Sequence, residues 1–330
     1  MLKKIVFVIL VISGMFWFNQ CSNEIDLYAD YKEITIVYGI LDISDDTSWI
    51  KVTRAFSGPG NALLIAQNPD SSNFPFKLDL KITGSKQGND LSPIQFDTIT
   101  KHNKKAGDSI FYYPDQLVYY SVADLDVDAD YTLSISNLQN PITSATPLID
   151  DFSILTPRNR ISFYDNDNVK FEWKTPVNGK RYEVSYVFNY KELMPGSSDT
   201  LNKTILYLVN DATSEGVDGT ETIELTGYDG NKFYTQLESN LPDENEIPGI
   251  KRWAGMVDVY VAAGSQELHN YLAINSSEGS LLEEVPIYSN IENGTGIFAA
   301  RHTAKKSVEL SNLSLSELVQ MDLGFLLPTK

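Results

Sequence analysis

The stretch Phe76-Lys77-Leu78-Asp79-Leu80-Lys81-Ile82 alternates apolar and polar side chains without a break. A period of two is typical of a β-strand with one face in the core, so we predict a strand over residues 76–82 with Phe76 among the buried side chains. The same period recurs at 34–38 and 49–53, which an acidic turn joins, and at 131–136. Short strands at such spacing favour antiparallel sheets that pack as sandwiches.

The second half of the chain continues the β pattern after a break. Residues 140–147 contain two prolines and small polar residues without periodicity, which predicts a linker. Beyond it, a strand at 169–173 that contains Trp173, a Pro/Asn/Gly turn and a strand at 181–187 resemble the B and C strands of fibronectin type III domains. Further strands are predicted at 204–209, 221–225 and 256–262, and helices at 231–241, 266–272 and from Ser314, where Ser314 and Glu317 form a capping box.

These patterns predict a mainly β protein with two antiparallel β-sandwich domains of immunoglobulin or fibronectin type III type. The first domain covers residues 21–145. The second covers 146–330 and contains the few short helices. Strands and helices do not alternate along the chain, which argues against a doubly wound parallel sheet.

The first 20 residues have the order of an export signal. The basic start Met1-Leu2-Lys3-Lys4 precedes an almost unbroken apolar run over residues 5–18, and Cys21, the only cysteine, follows before the chain turns polar. The apolar run is short for a membrane-spanning helix. A thiol at this point is the nucleophile that accepts the lipid in lipoproteins, so we predict a signal peptide over 1–20 and lipidation of Cys21. An uncleaved N-terminal anchor is the alternative.

Composition limits the partners of the exported chain. The formal net charge of −18 becomes −20 without residues 1–20, because that segment holds Lys3 and Lys4 and no acid. Nucleic acid requires basic clusters, so the sequence excludes it as a partner. Hydrophobic residues make up 42% of the chain, which is enough for a sizeable core. After lipidation no cysteine remains for a disulfide, so stability must come from packing.

Four acids, Asp124, Asp126, Asp128 and Asp130, alternate with apolar residues just ahead of Tyr131. On an extended strand their carboxylates would share one face, and clustered oxygens are what Ca²⁺ requires. The spacing begins like an EF-hand loop but lacks its glycine. The alternative is the corner of an immunoglobulin-like sandwich, in which the tyrosine hydrogen-bonds back to the turn and the acids are solvated. The sequence favours the corner and leaves calcium as the one cofactor hypothesis.

Known catalytic motifs are missing from the sequence. His102, His269 and His302 are scattered and form no zinc-binding pair, and neither a nucleophile elbow nor a phosphate-binding loop occurs. We therefore predict that the chain is not an enzyme. A hydrolase on a β scaffold, whose Ser, His and Asp residues converge only in space, is kept as an alternative.

Residues 288–301 form the densest local pattern of turn and strand residues. Asn293-Gly294 is a turn signal, Gly296 permits a positive φ or a close backbone approach, and 297–299 have strand character. We interpret this segment as a buried hairpin that locks the second domain, rather than as a ligand loop.

Three stretches together resemble uncharacterised outer-membrane lipoproteins of Bacteroidota, a family described only as a domain of unknown function. They are the start at Cys21-Ser22-Asn23-Glu24-Ile25-Asp26-Leu27 with the strand at 34–41, then 65–71, and 288–298. The resemblance implies an envelope lipoprotein with two β-rich domains and implies no active site. Ser22 fits the outer membrane as destination. The periplasmic and the cell-surface face both stay open.

The leading hypothesis is a lipid-anchored outer-membrane accessory protein that presents its β-domains to a partner such as a transporter or another envelope protein. The alternative is a carbohydrate-binding lipoprotein of a glycan-uptake system. Aromatic side chains on loops stack on sugar rings, and the candidates are Phe111-Tyr112-Tyr113 and Tyr119-Tyr120. Core packing competes with this role, because aromatic residues dominate β cores. No ligand-binding residue can be assigned from sequence.

Overall fold

The computed structural model describes residues 34–55, 61–102, 111–164, 168–275 and 288–327. Over these ranges the protein is mainly β, with open and largely antiparallel sheets. Cys21 lies outside the described residues. The strands are β1 Thr35–Asp42, β2 Thr47–Arg54, β3 Leu80–Lys86, β4 Asn89–Asp90, β5 Ile94–Gln95, β6 Asp97–Lys101, β7 Gln116–Val122, β8 Asp130–Ile135, β9 Ile142–Pro147, β10 Ile154–Thr156, β11 Arg160–Ile161, β12 Asn168–Lys174, β13 Arg181–Leu193, β14 Thr200–Thr213, β15 Thr222–Asp229, β16 Lys251–Gly264, β17 Gly294–Leu310 and β18 Phe325–Leu326. The helices are α1 Ala62–Ala66, α2 Pro69–Ser72, α3 Asn231–Asn240, α4 Gln266–Asn275 and α5 Asn312–Gln320.

A ten-stranded sheet organises the molecule. Its main path runs β14-β13-β16-β17-β1-β2-β7-β6, with β11 and β18 paired at its side. Strand β1 lies parallel to β17 and antiparallel to β2. A five-stranded sheet contains β3, β4, β5, β8 and β9, and a three-stranded sheet contains β10, β12 and β15. The buried apolar side chains of all three sheets form one contiguous cluster.

The side chains of β1 and β2 alternate between two faces of the large sheet. Val37 and Ile50 are fully buried in the core. Tyr38 and Trp49 point the other way and are 45% and 38% exposed. We call the face of β1 and β2 that carries Tyr38, Trp49 and Lys51 the outer face. The predicted strands at 34–38 and 49–53 are confirmed, and their alternation gives the sheet one apolar and one partly open side.

The strand predicted over 76–82 begins later than the alternation suggested. Strand β3 starts at Leu80, and Phe76 is 48% exposed instead of buried. In residues 77–79 side chains take most of the backbone hydrogen bonds, although the Asp79 carbonyl accepts from the Ser136 N–H. Asn137 accepts from the Asp79 N–H and donates to the Lys77 carbonyl, and the Tyr119 hydroxyl accepts from the Leu78 N–H.

The stretch predicted as a linker is a strand. β9 pairs with β8 along its whole length, from Ile135 opposite Ile142 to Asp130 opposite Pro147. Pro141 precedes the strand and Pro147 is its last residue, positions where a missing N–H is tolerated, so the prolines do not break the pairing. The large sheet also joins β1 to β17 across the boundary at 145/146. The division into domains at that point stays a prediction.

The remaining strand and helix predictions are confirmed, apart from the start of the last helix. α5 begins at Asn312, with Ser311 rather than Ser314 as its N-cap, and the Ser311 hydroxyl accepts from the Ser314 N–H at 3.0 Å. Ser314 is buried, and its hydroxyl accepts from the Phe163 N–H at 2.7 Å. Ser314 therefore anchors the helix to residues before β12 instead of opening it.

The segment 288–301 leads into β17 rather than closing a simple hairpin. Asn293 has a φ of 60°, as the turn signal predicted. The Asn290 side chain replaces a strand partner, because it accepts from the Phe298 N–H and donates to the Phe298 carbonyl. Glu292 donates its N–H to the Thr143 carbonyl of β9 at 2.8 Å. The segment thus fastens β17 to β9, on the other side of the predicted domain boundary.

No helix among the described residues combines the length and the apolar character that crossing a membrane requires.

Candidate functional site

An open cleft lies on the outer face, beside β1, β2 and the start of β7. Its volume is about 550 Å³, within the range of small-molecule sites in proteins. Tyr38 and Lys51 are opposite each other in the β1–β2 ladder and line the cleft, as does Thr53. Ile36, Arg54 and Ala55 continue the lining on the strand side, and helix α2, Asn73 and residues 111–117 contribute the groups opposite.

Backbone and capping contacts hold these lining segments against the sheet. The Tyr112 N–H donates to the Ala66 carbonyl at 3.1 Å, which ties residues 111–117 to the end of α1. The Arg54 Nη2 donates to the Asp70 carbonyl at 3.0 Å, which ties the end of β2 to α2. Asn68 caps α2 by accepting from the Asp70 N–H. The cleft is therefore built from three segments that are far apart in sequence.

Aromatic rings supply much of the cleft surface. Tyr38, Phe111 and Tyr112 line it, and Phe111 is 46% exposed. The Tyr271 ring of α4 meets Tyr38 edge to face, with ring centroids 6.4 Å apart. Burial and a hydrogen bond with Tyr271 raise the pKa of Tyr38 to about 12, so its hydroxyl stays neutral at physiological pH. Tyr38 thus offers a ring and a neutral polar group.

Of the described residues that line the cleft, three are charged, and one of these is an acid. The Asp115 carboxylate contacts His102 Nδ1 at 2.6 Å. Lys51 Nζ donates to the Gln116 side chain at 3.1 Å. Arg54 makes the bond to Asp70 described above, and its Nε is buried without a hydrogen-bond partner. Cations outnumber acids in the lining, although the chain as a whole carries a formal charge of −18.

The aromatic residues proposed from sequence have different environments. Phe111 and Tyr112 line the cleft, and Tyr113 is 52% exposed beside it. Tyr119 is a core residue, 1% exposed. Tyr120 stacks on Trp49 on the outer face, with ring centroids 5.7 Å apart. Tyr38 was not singled out from sequence, because a tyrosine on the outward side of an alternating strand carries no special signal.

The acidic stretch before β8 forms the predicted tyrosine corner. The Tyr131 hydroxyl accepts from the Asp126 N–H at 2.9 Å. Asp126 and Asp128 both contact Lys86 Nζ at 2.9 Å, and this contact lowers the pKa of Asp126 and raises that of Lys86. Asp124 and Asp130 are exposed. Across the described ranges, three or more potential metal ligands do not converge anywhere. The calcium site stays a prediction, and it would require displacement of the Lys86 ammonium.

A second cluster of titratable groups surrounds His302, which is buried in β17. Its Nδ1 lies 2.9 Å from the Ser44 hydroxyl and 3.6 Å from Asp42, and its Nε2 lies 3.1 Å from Asp151. The hydrogen bond to Asp42 raises the pKa of His302 despite burial, and Asp151 adds to this effect. Burial alone would raise the pKa of Asp42, but His302, Ser44 and the charge of Arg301 lower it to about 2.

The residue types of a Ser/His/Asp triad meet here, but their arrangement favours an ion cluster. A general base must be neutral at the working pH, whereas two carboxylates stabilise the charged form of His302. The Asp151 side chain, at the Nε2 nitrogen, is 84% exposed, unlike the buried acid of a triad. His269 lies on a different element, α4, and His102 is at the cleft. The cluster joins the β1–β2 turn to residue 151 and to β17.

The His302 cluster predicts a pH-dependent contribution to stability. Because the folded-state pKa of His302 is raised, its contribution is complete below the unfolded pKa of about 6.5 and is lost as pH rises through the folded value. Asp42 acts oppositely, and its contribution is lost as pH falls from about 4 towards 2. Between pH 5 and pH 9 the natural chain should lose about 1 kcal/mol more stability than His302→Gln in urea unfolding. Equal losses in the two chains would contradict a raised pKa.

Comparison with known proteins adds one finding. No curated protein matches the chain. The family model described as domain of unknown function (DUF4249) matches residues 23–307, which include the cleft, the tyrosine corner and the His302 cluster. Because this match covers most of the sequence, the chain belongs to the DUF4249 family.

Proposed function

We propose that this chain is a lipid-anchored accessory protein of the outer membrane that binds rather than catalyses. In this proposal Cys21 carries the lipid, and the β-rich body meets a transporter or another envelope protein. The periplasmic or cell-surface face is left open. The finer fold assignment, two immunoglobulin-like or fibronectin type III-like sandwiches, belongs to the same proposal, and the tyrosine corner at Tyr131 supports it for the first of them.

The anchor is argued from sequence alone. A basic start, an apolar run over 5–18 and the single cysteine stand in the order of a lipoprotein signal. The resemblance of residues 21–41 to Bacteroidota outer-membrane lipoproteins supports the destination. An acidic chain without basic clusters does not attach to anionic lipid by charge, so a covalent lipid is the simplest tether.

The cleft on the outer face is the observation that carries the binding role. It is of ligand size and combines aromatic rings with polar side chains. Among the described residues its lining holds no cysteine and no histidine, and the one acid found there is bound to His102. These groups suit recognition better than nucleophilic or acid–base catalysis.

Crosslinking in intact cells, followed by purification of the full chain in mild detergent, tests this proposal. We expect the natural chain in the membrane fraction with a stoichiometric envelope partner. Cys21→Ala should lose both the membrane association and the partner, and Ser22→Ala, one residue away, should lose neither. A natural chain recovered alone, or an unchanged membrane fraction for Cys21→Ala, would contradict the proposal.

A second candidate function, carbohydrate binding, is favoured by the composition of the cleft. Tyr38 and Phe111 are each about half exposed and offer ring faces to a sugar. Thr53 and Asn73 line the same cleft with groups that bind hydroxyls. Titration of the full chain with matched oligosaccharides, neutral and acidic, tests this candidate, and no binding of either would reject it.

A further inference from the structure

We propose that the cleft selects saccharides that carry a carboxylate, and that Arg54 binds this carboxylate. The inference rests on the second candidate function, carbohydrate binding in the cleft, and names the class of sugar. It depends on the state of the Arg54 guanidinium, on the local charge of the cleft and on the neutral polar groups around it.

The Arg54 guanidinium has more hydrogen-bond donors than partners among the described residues. Its Nη2 donates to the Asp70 carbonyl at 3.0 Å, and its Nε is buried without a partner. Within the described part of the chain Arg54 forms no ion pair, and its side chain makes the one hydrogen bond to Asp70. A guanidinium presents five donors in a planar fork that matches a carboxylate. The bond to Asp70 holds the side chain at the cleft while other donors remain available.

The local charge favours an anion at this place. Asp115 is the acid of the lining and contacts His102, not Arg54. The strongly acidic chain repels anions in general, so any preference for an acidic ligand must come from cations placed at the site. Such a preference is therefore a local property of the cleft, where Arg54 and Lys51 are the lining cations among the described residues.

The neutral groups of the cleft suit a sugar better than a peptide. The side chains of Thr53 and Asn73 make no hydrogen bond with any described residue, and both line the cleft. Tyr38 and Phe111 lie beside them and are 45% and 46% exposed. A pyranose has hydroxyl groups at its rim and C–H groups on its faces, so it can use both sets at once. A short acidic peptide would use Arg54 but few of the hydroxyl-binding groups.

The test is calorimetric titration of the full chain, in mild detergent, with trigalacturonate and with its methyl ester. The ester keeps the sugar rings and removes the charge. We expect the acid to bind at least tenfold more tightly, the usual effect of a charge-assisted hydrogen bond. Arg54→Gln should remove this preference, so that the acid and the ester bind with equal affinity. Arg160→Gln, which changes an exposed arginine on β11, is the matched control and should behave as the natural chain.

The possible results separate the two levels of the proposal. Equal binding of acid and ester would overturn carboxylate selection and leave carbohydrate binding in place. Failure of both to bind would overturn carbohydrate binding as well. Binding of triglutamate but of neither saccharide, abolished by Arg54→Gln, would assign the cleft to acidic peptides. If circular dichroism shows a lowered melting temperature for Arg54→Gln, the test is made on the natural chain by raising the NaCl concentration. The preference for the acid over the ester must then weaken, because salt screens the charge of the guanidinium. A preference that does not change with NaCl would overturn the proposal.

Discussion

Gly296→Ala is expected to be the most damaging small substitution in the chain, with a loss of about 3 kcal/mol or more of unfolding free energy. Gly296 has a φ of 110°, which L side chains rarely adopt. It also lies opposite Val37 in the parallel β1–β17 ladder, and an added Cβ would overlap the Val37 carbonyl oxygen. The methyl group could be accommodated only if β1 moved away from β17. Equilibrium urea unfolding of the natural and substituted chains measures the loss.

The matched control for this experiment is Gly249→Ala. Gly249 also has a positive φ, 84°, but no atom lies within 4 Å of an added Cβ. Gly249→Ala should lose about 1 kcal/mol of unfolding free energy, which is the cost of the positive φ without a steric clash. Equal losses at both positions would show that the close approach of β1 to β17 is not what requires a glycine. Because Tyr38 follows Val37, Gly296→Ala should also weaken ligand binding in the cleft.

Arg252→Met is expected to cost about 3–5 kcal/mol, the usual effect of removing one member of a buried ion pair. Arg252 is fully buried, and its Nε donates to Glu192 at 2.9 Å. Its Nη1 donates to the carbonyls of Pro242 and Leu323, so one side chain joins β13, β16 and the segment before β18. Without it, the Glu192 carboxylate would stay buried without its cation, and two carbonyls would lose their donor. Guanidinium unfolding, followed by tryptophan fluorescence, measures the cost.

Two further chains separate the sources of this cost. Arg252→Met combined with Glu192→Met should recover part of the loss, because no uncompensated charge remains. The part of the loss that is not recovered is due to the Pro242 and Leu323 carbonyls, which still lack their donor. Arg160→Met removes an arginine from an exposed pair with Glu309 and should cost less than 1 kcal/mol. A double substitution that is no more stable than Arg252→Met would contradict the ion-pair explanation.

Much of the secondary structure could be predicted from local pattern, and the errors have physical causes. The alternation at 34–38, 49–53, 131–136 and 181–187 extends at most one residue beyond the observed strands at either end. It misled at Phe76, because the N–H groups of Leu78 and Asp79 bind the side chains of Tyr119 and Asn137 instead of a neighbouring strand. The alternation of apolar and polar residues indicates which side chains face a core. It does not indicate which groups form hydrogen bonds with the backbone N–H and C=O groups.

The candidate site was predictable only in fragments. Phe111 and Tyr112 stood out as aromatic residues in a polar stretch, and both line the cleft. Tyr38, Lys51 and Arg54 looked like ordinary outward residues of two strands. Their role depends on α2 and residues 111–117, which lie over the same face. The tyrosine corner was predictable because Tyr131 and the turn before it are close in sequence.

The linear sequence specifies the β class of this protein and the face that each strand turns to the core, because both depend on a local period of two. The pairing of β1 with β17 depends on long-range contacts, since Thr35 lies opposite Gly294. The unpaired edges of strands are chemically alike, so no local pattern names the partner. The cleft likewise depends on contacts between segments that are far apart in sequence. Its chemistry exists only once the folded sheet has brought together the end of β2, helix α2 and the start of β7.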